Sequence, residues 1–157
     1  MRYAIAFLAV LGIIVSTLAL QVHYTNKVEP CDINSHWDCG TVNHSSYAVL
    51  PGILWHLRAA RNPDLTGPAP RTGLPVAVLG ILGYACIALF SLLRRRALTF
   101  LCALAGLGFA LYLSNVEAHI LEVWCLYCVI SQCLSALISL LALIHLFLGS
   151  KRRPEAA

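Results

Sequence analysis

Charge is what this sequence is short of. Only 11% of its 157 residues are Asp, Glu, Lys or Arg, while 59% are hydrophobic. A soluble domain carries about a quarter charged residues, so a water-facing surface around an ordinary globular core is excluded. Repeats of 20 to 50 residues and low-complexity linkers are missing as well, which excludes a solenoid or a beaded array of domains. The net charge of +4 makes no case for nucleic acid, because the placement of cations matters more than their total, and no such partner is expected.

The shortage of charge is concentrated. Residues 3–26, 72–93, 97–116 and 123–150 contain no Asp, Glu, Lys or Arg, and each supplies the roughly 20 apolar residues that a spanning helix needs. Backbone polar groups in hydrocarbon must be paired internally, so helices are the expected form. The first run follows Met1-Arg2 and has small residues near Ala19, as a signal peptide does, but its apolar core is longer than the usual h-region. The expectation is an all-α integral membrane protein: one domain over 1–157, a four-helix transmembrane bundle in the lipid bilayer. Its crossings are expected at 3–24, 73–93, 97–117 and 124–149, with an outer loop over 25–72.

The few cations orient the bundle. Arg2, Arg94, Arg95, Arg96, Lys151, Arg152 and Arg153 all flank membrane segments on what becomes one side. The positive-inside rule puts that side, with both termini, in the cytoplasm. The long loop then lies outside, where Lys27, Arg58, Arg61 and Arg71 are offset by Glu29, Asp32, Asp38 and Asp64. Within it, Ile53, Leu54, Leu57 and Ala60 recur at helical spacing with His56, Arg58 and Arg61 largely elsewhere, which predicts a short amphipathic helix at the interface or lidding the bundle. The Pro- and Gly-rich stretch 62–73 returns the chain to the second crossing.

Seven cysteines cannot all pair internally. Cys86, Cys102 and Cys133 fall inside apolar runs and read as small hydrophobic residues. Cys31 and Cys39 lie in the outer loop, and Cys125 and Cys128 open the last apolar run as Cys-x-x-Cys. On this topology all four face the oxidising side, where disulfides persist. Three readings compete. A structural zinc site wants four tetrahedral ligands, but a Cys-x7-Cys spacing is wide for one half and no metal is expected. Two inert disulfides form the second reading, although a Cys-x-x-Cys bridge closes a very short loop and gains little entropy. The third is redox exchange: a thiolate at a helix N-terminus is favoured, so Cys125 suits attack, while Cys128, one turn inward, faces a bundle interior suited to an apolar two-electron acceptor such as a quinone.

The ordered combination resembles the vitamin K epoxide reductase family and its bacterial homologues. It comprises Cys31-x7-Cys39, Ser45 six residues later, and YLSNVEAHILEVWCLYC, with Tyr112-Leu113 and Glu117 ahead of Cys125-x-x-Cys128. The likeness runs from RYAIAFLAVLG through the fourth apolar run. A DsbB-type quinone reductase has its cysteine pairs in the opposite order and fits less well. The resemblance implies that Cys31 and Cys39 exchange disulfides with a thioredoxin-fold, DsbA-like protein, that Cys39 passes electrons to Cys125, and that Cys128 reduces a quinone of the ubiquinone, menaquinone or vitamin K type. It puts Ser45 near the quinone, a role compatible with an N-cap, and adds Val76, Leu113 and Gln132 to the quinone-binding set. Animal relatives have a hydrogen-bonding Asn where Val76 stands and a Tyr at the Gln132 position, so ordinary quinones are expected as substrates and vitamin K epoxide is not. Glu117, an acid near the outer end of the third crossing, is open to a proton-handling or an interfacial role. No role follows for His36, His44, His56, His119 or His145.

Many bacterial relatives carry a fifth helix and a fused thioredoxin domain. The sequence as given stops at KRRPEAA, so the partner is expected to act in trans. A bacterial inner membrane, with the cysteines on the periplasmic side, is favoured over an endoplasmic reticulum, for which no retention signal is seen. The Asn43-His44-Ser45 sequon would crowd the cysteine loop if glycosylated. The alternatives carried are a vitamin K epoxide or quinone reductase of the endoplasmic reticulum, and a non-enzymatic membrane protein with structural disulfides.

Overall fold

A computed structural model describes residues 1–25, 31, 34, 36–62 and 64–150, the last two without their side chains. The charges Lys27, Glu29, Asp32, Lys151, Arg152 and Arg153 lie outside the described residues. The fold is helical. Helix α1 is Arg2–Tyr24, α2 Cys39–Asn43, α3 Leu50–Ala59, α4 Val76–Leu92, α5 Arg96–Val116 and α6 Leu126–Ser150, with a 3-10 turn at Ser46–Ala48 and a π turn at Glu117–Leu121.

Three helices are long and apolar enough to cross a membrane, and α4 is a shorter apolar one. At 1.5 Å per residue, the 17 residues of α4 reach about 25 Å, a little under a hydrocarbon core of about 30 Å. Helix α4 starts three residues later than expected because Pro75 sits at its N-cap. Ahead of it, Leu50 N–H donates to the Leu74 carbonyl at 2.9 Å, within a bridge between Val49 and Pro75. The residues expected to begin the crossing instead tie the loop down.

The four apolar helices form a ring in which α1 packs on α4, α4 on α5, α5 on α6 and α6 on α1. Helix α1 shows the rule of construction. Its buried positions are Ile5, Ala9, Gly12, Ser16 and Val22, largely small or hydroxylic, whereas Tyr3, Phe7, Val10, Ile14 and Leu18 are exposed. A soluble protein does not present large apolar side chains outward along whole helices. A membrane bundle does, because lipid solvates them and small residues let backbones approach.

Within the ring of apolar helices, backbones approach closely where α1 crosses α4. A Cβ on Gly12 would lie 2.5 Å from the Tyr84 ring, and one on Gly80 would lie 2.8 Å from Ser16 Oγ. Tyr84 reaches past α1 to α6, where its hydroxyl donates to the Ser131 carbonyl at 2.8 Å and lies 2.9 Å from both Ser131 Oγ and Ser135 Oγ. At one end of the bundle Ser91 Oγ donates to the Arg2 carbonyl, so Arg2 and the 94–96 turn lie together. The cysteine cluster, with Val22 at the other end of α1, lies opposite.

Helix α3, Leu50–Ala59, covers the segment expected to be a short amphipathic helix. Ile53 is buried, but Leu54 and Leu57 are 45% and 51% exposed. The rotation of α3 is set by Gly52, whose absent side chain lets the helix sit against the Ser46 and Pro70 carbonyls.

Gly12→Ala is expected to displace the Tyr84 ring and lower stability by about 1–3 kcal/mol, the range for overpacking. Gly83→Ala and Gly106→Ala, whose added Cβ atoms meet nothing within 4 Å, should be neutral or slightly stabilising. Thermal unfolding of the three variants in detergent decides it, and equal melting temperatures would count against the close α1–α4 contact.

Candidate active site

The site is assembled by main-chain pairing between two distant segments. Trp37 and Trp124 form a parallel bridge in which Asp38 N–H donates to the Trp124 carbonyl at 3.1 Å and Trp124 N–H donates to the His36 carbonyl at 2.8 Å. Glu122, in the left-handed region at φ 56°, turns the chain after the π turn so that Trp124 can pair. Cys39 and Cys125 each follow one step behind a bridge strand. The loop side is then locked by Asp38, which caps α2: Oδ1 accepts from Thr41 N–H at 2.7 Å and Oδ2 from the Thr41 hydroxyl at 2.6 Å. The Thr41 hydroxyl, then its N–H, hold the Asp38 carboxyl below the usual carboxylate range.

Cys31 and Cys39 are disulfide-bonded, with Cα atoms 6.0 Å apart, within the span that such a bond bridges. Cys125 and Cys128 are free thiols. Cys31, Cys39 and Cys125 are buried in one cluster with Val22 and Val42, and Cys128 packs against it. Helix α6 begins just after Cys125, whose carbonyl accepts from Val129 N–H at 3.0 Å. The Cys128 thiol is the first cause holding the Cys125 thiol below its ordinary value, with the backbone N–H groups of Cys128 and Tyr127 adding to it. Burial and the nearby Glu117 carboxyl oppose that shift.

Two further polar groups converge here. Glu117 is 2% exposed; its Oε2 accepts from Cys125 N–H at 3.2 Å, its Oε1 is buried without a hydrogen bond of ordinary geometry, and its carboxyl is within interaction range of Cys128. Asn43, the last residue of α2, donates through Nδ2 to the Cys39 carbonyl at 2.9 Å and to Cys125 Sγ at 3.6 Å.

Behind the cysteines lies a cavity of about 490 Å³ enclosed by the four apolar helices and the loop. Cys128, Glu117, Ser45, Val76 and Leu113 line it, as do Tyr84 and Asn43. Leu82 and Cys86 of α4 and Ala105 and Gly106 of α5 both line it and are exposed, so it opens toward the outer surface between those helices. Ser45 occupies the N-cap position of the 3-10 turn but makes no capping bond there; its hydroxyl donates to the Val42 carbonyl at 2.8 Å.

Gln132 is the exception among the expected residues. It is not on the cavity wall, and its Oε1 accepts from the Ser114 hydroxyl of α5. The reason is rotation about α6. Ser131 and Ser135 turn toward Tyr84 on α4, and one residue past Ser131 is about 100° further round, which aims Gln132 at α5. The hydrogen bond that Gln132 makes is thus an interhelical one, through Oε1. Cys86 and Cys102 also line the cavity, although the sequence suggested only packing for them. Asn43, Tyr84, Ser131 and Ser135 were not singled out either. Two serines four apart on an apolar helix are a readable sign of a polar partner, whereas the sequence marks Asn43 only as the start of a sequon. Among the described residues no group of three or more His, Cys, Asp or Glu could hold a metal ion.

The sequence model of the vitamin K epoxide reductase family matches residues 3–143, nearly the whole chain. No curated protein matches it.

A lowered thiol value means that the Cys125 thiolate persists as pH falls below the ordinary thiol range near 8.5. Cys128→Ala deletes the first support and should move the titration upward. The measurement is thiolate ultraviolet absorbance against pH, with Cys86, Cys102 and Cys133 replaced by Ala and Cys31–Cys39 kept oxidised. A titration unmoved by Cys128→Ala would show that the Cys128 thiol gives the Cys125 thiolate no support.

Proposed function

The chain belongs to the vitamin K epoxide reductase family, which implies membrane disulfide and quinone redox chemistry, and from that premise we propose a specific activity. The protein oxidises a thioredoxin-fold, DsbA-like partner and carries the electrons through Cys31/Cys39 and Cys125/Cys128 to a quinone, sustaining disulfide formation outside the cytoplasm. The observation that carries this reading is the Trp37–Trp124 bridge, which brings a disulfide from one segment against a dithiol from another at the wall of an apolar cavity. Inert staples would gain nothing from that arrangement, and Cys125 and Cys128 are thiols.

The residues divide the work as follows. A partner thiolate attacks Cys31, which is buried with the disulfide closed, so the loop must yield to admit it. Cys39 leaves, and the partner's second thiol resolves the mixed disulfide, leaving Cys31 and Cys39 reduced. Cys39 then attacks Cys125 and displaces Cys128. When Cys31 closes on Cys39, the electrons rest on Cys125 and Cys128.

The cavity fits a quinone head group in having apolar walls, with the Cys128 thiol and the unsatisfied Glu117 Oε1 at one end. The bound quinone supplies a two-electron, two-proton acceptor. Cys125 and Cys128 must then shed two protons as their disulfide forms, and Glu117 Oε1 is the buried acceptor placed to take one from Cys128. Ser45, Val76 and Leu113 would frame the ring, and the opening between α4 and α5 suits an isoprenoid tail. Val76 offers no hydrogen bond, which favours ubiquinone or menaquinone over vitamin K epoxide. Four crossings, with Arg2 and Arg94–Arg96 on the cytoplasmic side, would put the cysteines on the periplasmic side of a bacterial inner membrane.

The test uses purified protein in lipid nanodiscs, a reduced DsbA-like donor and each quinone in turn. Turnover is expected with ubiquinone or menaquinone and not with vitamin K epoxide. Cys128→Ala should abolish it and accumulate a Cys39–Cys125 link, because the Cys125 thiolate can attack Cys39 in reverse and release Cys31, and no Cys128 thiol is present to resolve the mixed disulfide. No turnover with any quinone, in folded protein that keeps its Cys31–Cys39 bond, would leave a structural role for the cysteines.

A further inference from the structure

Asn43 touches both cysteine pairs. It lies one helical turn beyond Cys39 on the same face of α2, so its amide folds back to the Cys39 carbonyl and still has an N–H for Cys125 Sγ. The orientation is determined by its partners, since a flipped amide would set an oxygen against both a carbonyl and a sulfur. The residue is 7% exposed, and its backbone is pinned to α1, where His23 Nδ1 lies 2.5 Å from the Asn43 carbonyl and the His23 ring stacks on His44. Turned inward this way, Asn43 does not offer its amide to a glycan, although it begins a formal sequon. A buried amide costs free energy unless its hydrogen bonds are made, and here one is spent on a sulfur.

We propose that Asn43 is the positioning residue of the step between the pairs, holding Cys125 Sγ beside Cys39 and stabilising the negative charge that develops on that sulfur. The inference rests on the relay reading above. In the first half of the step the Cys39 thiolate attacks Cys125: the Cys125–Cys128 bond breaks, the Cys39–Cys125 bond forms, and Cys128 leaves as thiolate. In the second half the Cys31 thiolate attacks Cys39: the Cys39–Cys125 bond breaks, the Cys31–Cys39 bond forms, and Cys125 leaves as thiolate. Two electrons pass from one pair to the other. The protons lost by Cys31 and Cys39 are matched by those gained on Cys125 and Cys128, and no outside oxidant is used. A better-stabilised leaving thiolate departs faster, so the Asn43 N–H acts in the second half, where Cys125 is the leaving group. Lowering of the Cys125 value by the neighbouring N–H and S–H donors works in the same direction.

The experiment follows the step by rapid mixing, acid quench, alkylation and mass spectrometry in the full-length protein in nanodiscs, over a range of pH. In Asn43→Leu, release of the Cys39–Cys125 link should slow by about ten- to a hundredfold, as loss of one hydrogen bond to a charged group implies. The reverse step, attack of the Cys125 thiolate on Cys39 of the Cys31–Cys39 bond, should have its rate–pH curve moved to higher pH, a shift that a merely structural role would not produce. Asn43→Asp has the size of the native residue and serves if the Leu variant does not fold. Its protonated carboxyl restores a donor at low pH and its carboxylate repels the thiolate, so the step should fall as pH rises through the carboxyl's titration. A folded variant of either kind with the wild-type rate and pH profile overturns the inference. The relay reading fails separately: Cys128→Ala would then form no Cys39–Cys125 link at all, whatever residue stands at 43.

Discussion

Two main-chain hydrogen bonds between the 36–38 segment and Trp124 are the constraint on which the rest depends. They join a loop that leaves α1 to a turn that precedes α6, segments more than 80 residues apart. Side-chain packing tolerates slippage, whereas a backbone bridge has one register, and a shift by one residue turns every side chain to the other face. With Trp37 opposite Trp124, Cys39 and Cys125 are buried together and Asn43 reaches both. In any other register the loop cysteines and the Cys-x-x-Cys pair would be two unrelated features of one membrane protein.

Around that joint the lipid environment sorts the helices. Water cannot draw these faces together, so the ring is held by close contact of small residues and by a few interhelical hydrogen bonds. Gly12 against Tyr84, Gly80 against Ser16, and Tyr84 against Ser131 and Ser135 supply both. The same use of small residues leaves a void. Gly83, Ala105 and Gly106 cannot fill the space between α4 and α5, and the cavity runs there from the cysteine end. A well-packed soluble core keeps no such space; here it lies where an electron acceptor would be wanted.

Much of the architecture was legible because apolar length is a one-dimensional signal. Runs without charge read as helices, and their cysteines read as inside or outside the apolar stretches. What was not legible depended on rotation about an axis. Leu54 and Leu57 follow Ile53 at helical spacing, yet only Ile53 is buried, since the contacts of Gly52 set the angle of α3. Gln132 is four residues from Cys128, but α6 turns it to Ser114. Asn43 reads as half of a sequon until the bridge brings Cys125 to it.

The segment between α5 and α6 shows how tightly these demands are joined. Nine residues, 117–125, must end one helix, reverse the chain, pair with the loop and present a thiol at the start of the next helix. A continued α-helix would carry the chain past the loop. The π turn at Glu117–Leu121 widens the helix instead, burying Val116 and Glu117 side by side while His119 and Ile120 face outward, and π insertions are frequent at functional sites. Glu122 then takes the left-handed conformation, which costs about 1 kcal/mol or more for a residue other than glycine and persists because the Trp124 bridge holds the chain that follows. The buried carboxyl accepts from Cys125 N–H, one of the donors that the start of α6 leaves without a helical partner. Cys125 therefore has its backbone satisfied by Glu117, while Asn43 and the Cys128 thiol attend to its sulfur. That division leaves Glu117 Oε1 buried with no hydrogen bond among the described residues.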